Sequence, residues 1–514
     1  MSFPKEAYQA LKSLVGEENV SDDPVICAAV RGGAAGINVW DKDVVSPACV
    51  VLPKTTGEVQ EIVLIANRYR LPFYPTSSSM HVLASARLPN TIAIDLKRMR
   101  GLEIDEENMF AICESGISSA ELFAEVLKRG LWCMVPWCGG QASVVANTAV
   151  HGTAPSIYRF GFPHRRILAT EWVLPNGELI NLGSASLFRD YFWGEGPGPD
   201  LRGILRGTLG HLGGMGVVTK MAVKLLPFQP EPLEPIGISP HTALKIPEKR
   251  IKFFNITFPT YEKAVDAVYE ISHCEIGAMV MIIPSLFRYV AKSRGKGTAA
   301  FWEEWNKLGE WVDWTNTVVR VCLIGFTSEK QLIYEEEVLK EIVAEFEGKI
   351  REGRPLDESQ FTSPDAICSF FVTGTFHPPT LVFDSLDAGL KTARRNVELR
   401  RKYKGVLAED HSYPGWTFSV ELGHMCYYEF LCYGDIEDKE SLAKLELEIL
   451  QSDIKLGGWP MFQDPSLLGP AWLNYHHHLR GLKEIFDPHT LSNPPLPERL
   501  PWNVPPETVI KKGD

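Results

Sequence analysis

Residues 138–182 read CGGQASVVANTAVHGTAPSIYRFGFPHRRILATEWVLPNGELINL, and their interpretation decides the fold. The stretch opens with small residues, Gly139, Gly140, Ala142, Ser143, Ala146, Asn147 and Thr148, and closes with two runs of strand character, 168–174 and 178–182. Pro175-Asn176-Gly177 joins those runs, and Asn-Gly between strands predicts a tight hairpin with positive φ at both central residues. Small side chains let the backbone approach a large flat ligand and aim N–H groups at phosphate or ring carbonyl oxygens. The loop therefore reads as a cofactor seat, and the hairpin as its support.

Upstream, 46–71 reads SPACVVLPKTTGEVQEIVLIANRYRL. A short strand at 49–52 leads through a Thr55/Thr56 cap region into a helix with Val59, Ile62, Val63 and Ala66 on one face. The tract Thr76-Ser77-Ser78-Ser79-Met80-His81 follows, and then a strand at 91–96. This order puts the serines where amides and hydroxyls can grip a pyrophosphate; a polar surface loop is the plainer alternative. A further strand and helix are expected at 111–116 and 119–129. Downstream, Gly210, Gly213, Gly214 and Gly216 precede a buried strand, but the spacing is not G-x-G-x-x-G and no helix follows, which disfavours a Rossmann fold.

The character changes near residue 229, where a proline-rich linker begins. Two strand-helix units follow, strand 252–258 with helix 261–273 and strand 279–283, then strand 317–326 with helix 329–346. They predict an α+β domain whose helices cover one face of a sheet. Trp302, Trp305, Trp311 and Trp314 lie between them at spacings that suit packed helix faces. The basic run KTARRNVELRRKYK, 391–404, reads as a solvated helix face, with a dock for an acidic electron carrier or a substrate phosphate as the alternative. Segment 417–433 is strand-like, 442–455 a helix, and 472–484 a helix carrying His476, His477 and His478. Adjacent helical residues point about 100° apart, so those three histidines do not form one metal site.

With 514 residues, 45% hydrophobic and 23% charged, the chain has the profile of a soluble enzyme of two or more domains. A net charge of −12 disfavours nucleic acid and anionic membranes as partners. The sequence shows no long apolar run and no signal-peptide core, so the expected compartment is the cytoplasm, without membrane insertion. The ten cysteines include no C-x-x-C pair, which argues against zinc or an iron–sulfur cluster and for reduced core residues.

Taken together, PACVVLPKTTGEVQEIVLIAN, FYPTSSSMH, CESG at 113–116, SVVANTAVHG, EWVLPNGELI, GMGVVTKMAVKLLP and LKEIFDPHTLSNP occur in an order that resembles flavoproteins of the vanillyl-alcohol oxidase/p-cresol methylhydroxylase type, which carry a PCMH-type FAD-binding domain. The resemblance implies an α+β fold with an FAD-binding domain over 1–228. A cap domain with an antiparallel sheet covered by helices is implied over 229–455, and a return to the first domain over 456–514. It implies FAD contacts at Pro75, Thr76, Ser77, Ser78, Ser79, Met80 and His81, at Gly139, Gly140, Ser143, Val144, Asn147 and Gly152, and at Gly216, Val217 and Val218. Serines stand where family members usually have glycines. The positions matching the two tyrosines and the arginine that hold the phenolate in the family are Ala84, Phe462 and Gln463, and Phe162 stands at the place of the aspartate kept beside the flavin; without cationic and phenolic donors a 4-alkylphenol is not the expected substrate. Noncovalent FAD is expected; a covalent bond through Tyr427, on a cap strand with Cys426 and Tyr428, is the alternative.

The implied reaction is hydride transfer from a small alcohol or hydroxy acid to the flavin, with electrons passing to a carrier protein or oxygen. The transfer needs close approach and a base. His424 is the first candidate base, followed by His151, His164, His377 and His476; Arg320 and Arg480 are candidates to hold a carboxylate. A redox-neutral transferase or lyase resembling alkyl-dihydroxyacetonephosphate synthase and a noncatalytic flavin or scaffold subunit are the rival readings. A homodimer or larger oligomer is expected.

Overall fold

The structure, a computed structural model, describes residues 3–31, 44–79, 84–137, 139–150, 152–187, 192–198, 201–205, 214–228, 247–283, 297–308, 317–351, 375–377, 379–403, 415–430, 432–434, 436–461 and 475–494. The first sheet takes β1 (Val20–Ser21), β2 (Cys49–Val51), β3 (Phe73–Thr76) and β4 (Ile92–Asp95) in the order β1-β2-β4-β3, with β2, β4 and β3 parallel. Parallel strands need a crossover, and the helix Thr56–Tyr69 supplies it between β2 and β3. The Thr55 hydroxyl caps that helix by accepting from the Glu58 amide at 3.2 Å. Its buried stripe, Val59, Ile62, Val63 and Ala66, follows the helical period and packs beside Ala7 and Leu11 of α1 (Lys5–Val15). We number the crossover helix α2.

The second sheet is antiparallel: β5 (Leu102–Asp105), β6 (Phe110–Glu114), β8 (Ile167–Val173), β9 (Leu179–Leu182) and β10 (Val217–Lys224), in the order β5-β6-β10-β8-β9. The glycine-preceded run thus forms the central strand. The β8–β9 hairpin forms as expected, but its turn differs. The Gly177 amide donates to the Leu174 carbonyl at 2.9 Å, and of the two predicted residues only Gly177 takes positive φ, at 87°. Pro175 fixes φ near −65°, which suits the second position of a type I turn with a following left-handed glycine. A short ladder of β7 (Leu131–Trp132) and β11 (Leu226–Pro227) closes this region.

The third sheet has eight strands, antiparallel where they pair: β12 (Ile251–Phe258), β13 (Met279–Ile283), β14 (Thr317–Ile324), β15 (Lys349–Arg351), β17 (Thr380–Phe383), β18 (Gly415–Val420), β19 (Met425–Phe430) and β21 (Trp459–Pro460). A separate pair joins β16 (Thr375–His377) to β20 (Cys432–Gly434). Residues alternate between faces with period two. Val280, Val321, Leu381, Tyr428 and Phe430 join a core with the helices α6 (Tyr261–His273), α7 (Glu329–Glu345), α8 (Leu386–Lys402) and α9 (Lys439–Ile454). Met281, Cys322, Phe418, Tyr427 and Val382 instead join the core of the second sheet and its loops. Helices α3 (Ser119–Leu127), α4 (Val144–Ala149) and α5 (Ile157–Phe160) belong to that loop side.

Segment 417–433 is a hairpin rather than one strand. Glu421, Leu422 and Gly423 carry successive φ values of 49°, 56° and 93°, a left-handed run that reverses the chain. In the basic run, Lys391 pairs with Asp387 at 2.5 Å, Lys402 with Glu448 at 2.6 Å and Arg395 with Asp453 at 3.1 Å, so these charges are met within the fold. Phe301 is buried and Trp302 packs at the core margin; Trp311 and Trp314 lie outside the described residues. Among the described cysteines, those at 27, 49, 113, 133, 322, 426 and 432 are buried thiols in no disulfide. No helix among the described residues is long and apolar enough to cross a membrane.

The last described segment returns to the first sheet. Ser492 bridges to Phe73 in parallel, with the Phe73 amide donating to Leu491 at 2.8 Å and the Asn493 amide donating to Phe73 at 2.6 Å. Behind it, at the end of α10 (Tyr475–Phe486), the buried Lys483 ammonium pairs with Asp487 at 2.7 Å and donates to the carbonyls of Gly214 and Ser492. Asp487 also accepts the amides of Leu491 and Ser492 at 3.0 and 2.8 Å. Burial pulls the Lys483 pKa down, and the Asp487 carboxylate opposes that shift. Asp487→Ala strands the buried cation and is expected to destabilise the chain by about 3–5 kcal/mol, read as a lowered urea midpoint.

Candidate functional site

Three loops converge at the C-terminal end of β3. Thr76 closes the strand, and its hydroxyl hydrogen-bonds to that of Ser79 at 2.8 Å, while Ser79 itself is left-handed at φ 51°. The Ser78 hydroxyl accepts from the Ser143 amide at 3.3 Å, tying the serine tract to the 139–150 loop across 65 positions of sequence. Among the described residues, the amides of Ser78 and Ser79 donate to no protein acceptor. Free successive N–H groups beside a left-handed residue form a concavity suited to an anion.

The second loop is the turn after β6. Ser115 donates its hydroxyl to Val218 at 2.6 Å and its amide to Thr219 at 3.1 Å, fixing the turn to β10. Gly116 is required there because a Cβ would collide with the carbonyls of Met99 and Leu96. Ser118 forms a capping box with Glu121 at the start of α3. The third loop packs on this turn: the Val144 amide donates to Ile117 at 3.0 Å, Ser143 Oγ to Ser115 at 2.7 Å, and the Ala120 amide to Gly140 at 2.8 Å. Gly139 has φ 125°, and the Gly152 amide closes back on Asn147 at 2.7 Å.

Gly216, Val217 and Val218 open β10. Gly216 has φ 94°, a Cβ there would collide with the Val173 carbonyl, and its amide donates to Ser492 Oγ at 2.9 Å. Trp137, just before the seat glycines, buries an indole N–H that has no partner among the described residues. A buried orphan donor beside a close-packed backbone and free amides fits a ligand carrying carbonyl and phosphate oxygens, and these residues fit FAD.

The third sheet presents a face to this seat. Its register aligns Asn255, Arg320, Met281, Phe418, Tyr427, Val382 and Trp459 in one row across seven strands. The next row carries Trp416 and Thr380 on either side of Glu429. Trp137 packs edge-on against Trp416 and Phe418, with ring centroids 5.2 and 5.9 Å apart, and Phe418 against Tyr427 at 5.4 Å. Tyr427 is buried and donates its hydroxyl to Glu429 Oε2 at 2.6 Å, while the Thr153 and Thr380 hydroxyls lie against the same phenol oxygen. Burial first, and then the neighbouring Glu429, hold the Tyr427 phenol protonated well above its ordinary range. Burial raises the Glu429 carboxyl from 4.5 to about 7, with the Tyr427 hydrogen bond opposing that rise. The buried Arg320 donates from Nε to Asn255 at 3.2 Å on the same face.

The described candidate histidines lie on separate elements. His424 lies in the exposed β18–β19 turn, not on the strand, because the left-handed run at 421–423 ends the hairpin before it. His164 is buried and stacked on Phe162 with ring centroids 5.7 Å apart. His377 is on β16 opposite Cys432, and His476 is in the first turn of α10, the helix that also holds Arg480. His151, Met80, His81, Phe462 and Gln463 lie outside the described residues. Ala84 packs at the margin of a small cluster with Tyr74 and Ala86. Of the expected cofactor residues, Pro75 and Thr76 end β3 and lead into Ser77, Ser78 and Ser79, which meet Ser143 of the 139–150 loop, whereas Tyr427 comes from the third sheet. Glu429, Trp137, Thr153 and Ser492 did not stand out in the sequence. The available signal for Glu429 is one acid inside the apolar run CYYEFLCY.

Residues 47–183 match the FAD binding domain family. The chain is 29% identical over 237 residues to 1'-carboxy-chondrochloren decarboxylase of Chondromyces crocatus, covering 43% of this chain and 40% of the relative. It is 26% identical over 226 residues to D-lactate dehydrogenase of Archaeoglobus fulgidus, covering 43% and 44%. In both cases the match spans less than half of the relative's length. Alkyldihydroxyacetonephosphate synthase of Dictyostelium discoideum matches more extensively, 22% identical over 492 residues, 87% of this chain and 73% of the relative. The fold is that of substrate-bound p-cresol methylhydroxylase, with TM-score 0.75, 17% identity and 95% of each chain covered. Residues 47–183 thus form an FAD-binding domain, the chain as a whole has the fold of the PCMH-type flavoproteins, and its cofactor is FAD.

Gly216→Ala places a Cβ against Val173 at a left-handed backbone position, so it is expected to cost about 1–3 kcal/mol and to lower the flavin content of the purified protein. Because the folded Glu429 pKa of about 7 exceeds its ordinary 4.5, its contribution to stability is full below pH 4.5 and is lost as pH rises through 7. Urea unfolding between those limits is expected to show a shallower decline in Glu429→Gln than in the parent.

Proposed function

We propose that this chain is an FAD-dependent dehydrogenase that oxidises the hydroxyl-bearing carbon of a small hydroxy acid. The observation that carries the reading is the face turned toward the seat. Its buried charged side chains, among the described residues of those strands, are Arg320 and Glu429, set in a wall of Met281, Phe418, Trp416 and Tyr427. An apolar wall excludes water, a guanidinium suits a carboxylate, and a buried acid suits proton transfer. Bound FAD supplies the acceptor for a hydride. Ser77, Ser78 and Ser79 would hold its pyrophosphate, Gly139 to Val144 its ring, and Gly216 to Val218 its adenine side. Relatives described as D-lactate dehydrogenase and as a glycolate oxidase subunit support a 2-hydroxy acid.

We propose a noncovalent flavin. The Tyr427 oxygen is engaged by Glu429, Thr153 and Thr380, and the pair with Glu429 opposes the phenolate that a flavin–tyrosine bond requires. Acid precipitation is expected to leave the yellow colour in the supernatant; colour in the pellet overturns this assignment. Electrons would pass to a carrier protein or to oxygen, and a relative described as a flavoprotein subunit supports the former.

The extent of the alkyldihydroxyacetonephosphate synthase match favours a second reading, a redox-neutral transferase. Anaerobic mixing of the FAD-loaded protein with D-lactate, glycolate and D-2-hydroxyglutarate separates the two. Bleaching of the flavin band by at least one acid supports the dehydrogenase. An unbleached flavin together with formation of an alkyldihydroxyacetonephosphate supports the transferase. Arg320→Met is expected to raise KM for the reducing acid at least tenfold with a smaller change in kcat.

A further inference from the structure

We infer that Glu429 is the terminal proton acceptor of this site, reached from the seat loop through the hydroxyls of Thr153 and Tyr427. The inference rests on the dehydrogenase reading for its purpose and on the following contacts for its path. Thr153 directly follows Gly152 of the seat loop, and its carbonyl accepts the Trp137 amide at 2.8 Å. Its hydroxyl lies against the Tyr427 oxygen, whose own proton is donated to Glu429 Oε2 at 2.6 Å. Two hydroxyl oxygens thus lead in order from the loop to a carboxyl that is 5% exposed.

A structural role does not explain an acid at this position. Glutamine offers the same carbonyl acceptor to Tyr427 without an ionisable group to bury. An acid taken out of water without a cation carries a penalty of several kcal/mol in its charged form. Among the described residues Glu429 has no ion pair, and Tyr427 is its hydrogen-bond partner. Its ladder neighbours, Trp416 on β18 and Thr380 on β17, carry no charge, and Met461, which donates its amide to Thr380, carries none either. Arg320 stands three strands away, about 14 Å at the usual strand spacing. Among the described residues Tyr427 is therefore the titratable group that faces Glu429, and none of them sets a cation beside the pair.

In the oxidation of a hydroxy acid, the substrate O–H proton passes to Thr153 Oγ as the Thr153 proton passes to Tyr427 and the Tyr427 proton passes to Glu429. One proton is moved in total, and each hydroxyl ends as neutral as it began. FAD held by the seat residues would supply the acceptor for the C–H hydrogen and its electron pair, and the carbon–oxygen bond gains its second pair from the former O–H bond. The charge change falls on the Glu429 carboxylate, which becomes a carboxylic acid.

The test uses the FAD-loaded protein and needs no identified substrate. Infrared spectra record the carbonyl band of protonated carboxyl groups from pH 5 to 9, before and after anaerobic reduction with dithionite, in the parent, Glu429→Gln, Glu429→Asp and Tyr427→Phe. A band that titrates near neutrality is expected in the parent, absent from Glu429→Gln, retained at a shifted midpoint in Glu429→Asp, and moved upward in Tyr427→Phe. The same band is expected to grow on dithionite reduction at pH 8, because reduction favours proton uptake by a carboxyl coupled to the seat. A band that ignores reduction, or a Glu429 carboxylate ionised throughout, overturns the inference, and the parent spectra alone decide this if a variant fails to fold. If no hydroxy acid bleaches the flavin while the band still answers to dithionite, the dehydrogenase reading fails and the relay stands. Bleaching with an indifferent band has the opposite meaning.

Discussion

The contact between Trp137 and the Trp416–Phe418 wall is the constraint on which the site depends. It is where the seat loop, anchored in the second sheet, meets the third. The aromatic rings pack edge to face at 5.2 and 5.9 Å, a geometry that fixes orientation as well as burying area. The row behind them then has little freedom. Because a strand alternates faces, placing Phe418 on the seat side also places Tyr427, Glu429 and Arg320 there, while Tyr428 and Phe430 turn to the helices.

A second constraint acts from the other end of the chain. The Lys483–Asp487 pair is buried and shares its hydrogen bonds with Gly214, Leu491 and Ser492. A buried ion pair contributes modestly as a pair, but it is intolerant of losing one member. Here it holds Ser492 against both Phe73 and Gly216. The strand that ends in the serine tract and the turn that begins the central strand of the second sheet are thereby set by one residue from the chain's far end.

The sequence was most legible where local chemistry decides. The Thr55 cap, the Val59-Ile62-Val63-Ala66 stripe, the paired strand-helix units beyond residue 250 and the glycine before β10 all carry their reasons within a few residues. The PCMH-type architecture followed from their order. The turn at Pro175-Asn176-Gly177 was half legible: the reversal was plain, but the proline imposed a type I turn on a dipeptide that alone favours another. At 417–433 the apolar run concealed a reversal through Glu421 and Leu422, residues with no intrinsic preference for left-handed backbone.

By itself the sequence determined the PCMH-type FAD-binding fold, the cofactor class and the loops that lie near it, because helix stripes, strand alternation and small-residue loops are local properties. Only the tertiary structure decided which side chains face the seat. His424 is chemically apt for a base but lies in an exposed turn. Glu429, one acid in an aromatic run, is brought beneath Tyr427 and Thr153 by strand register and sheet packing. Burial and proximity are properties of the folded chain, and they convert an ordinary carboxyl into a proton-holding group.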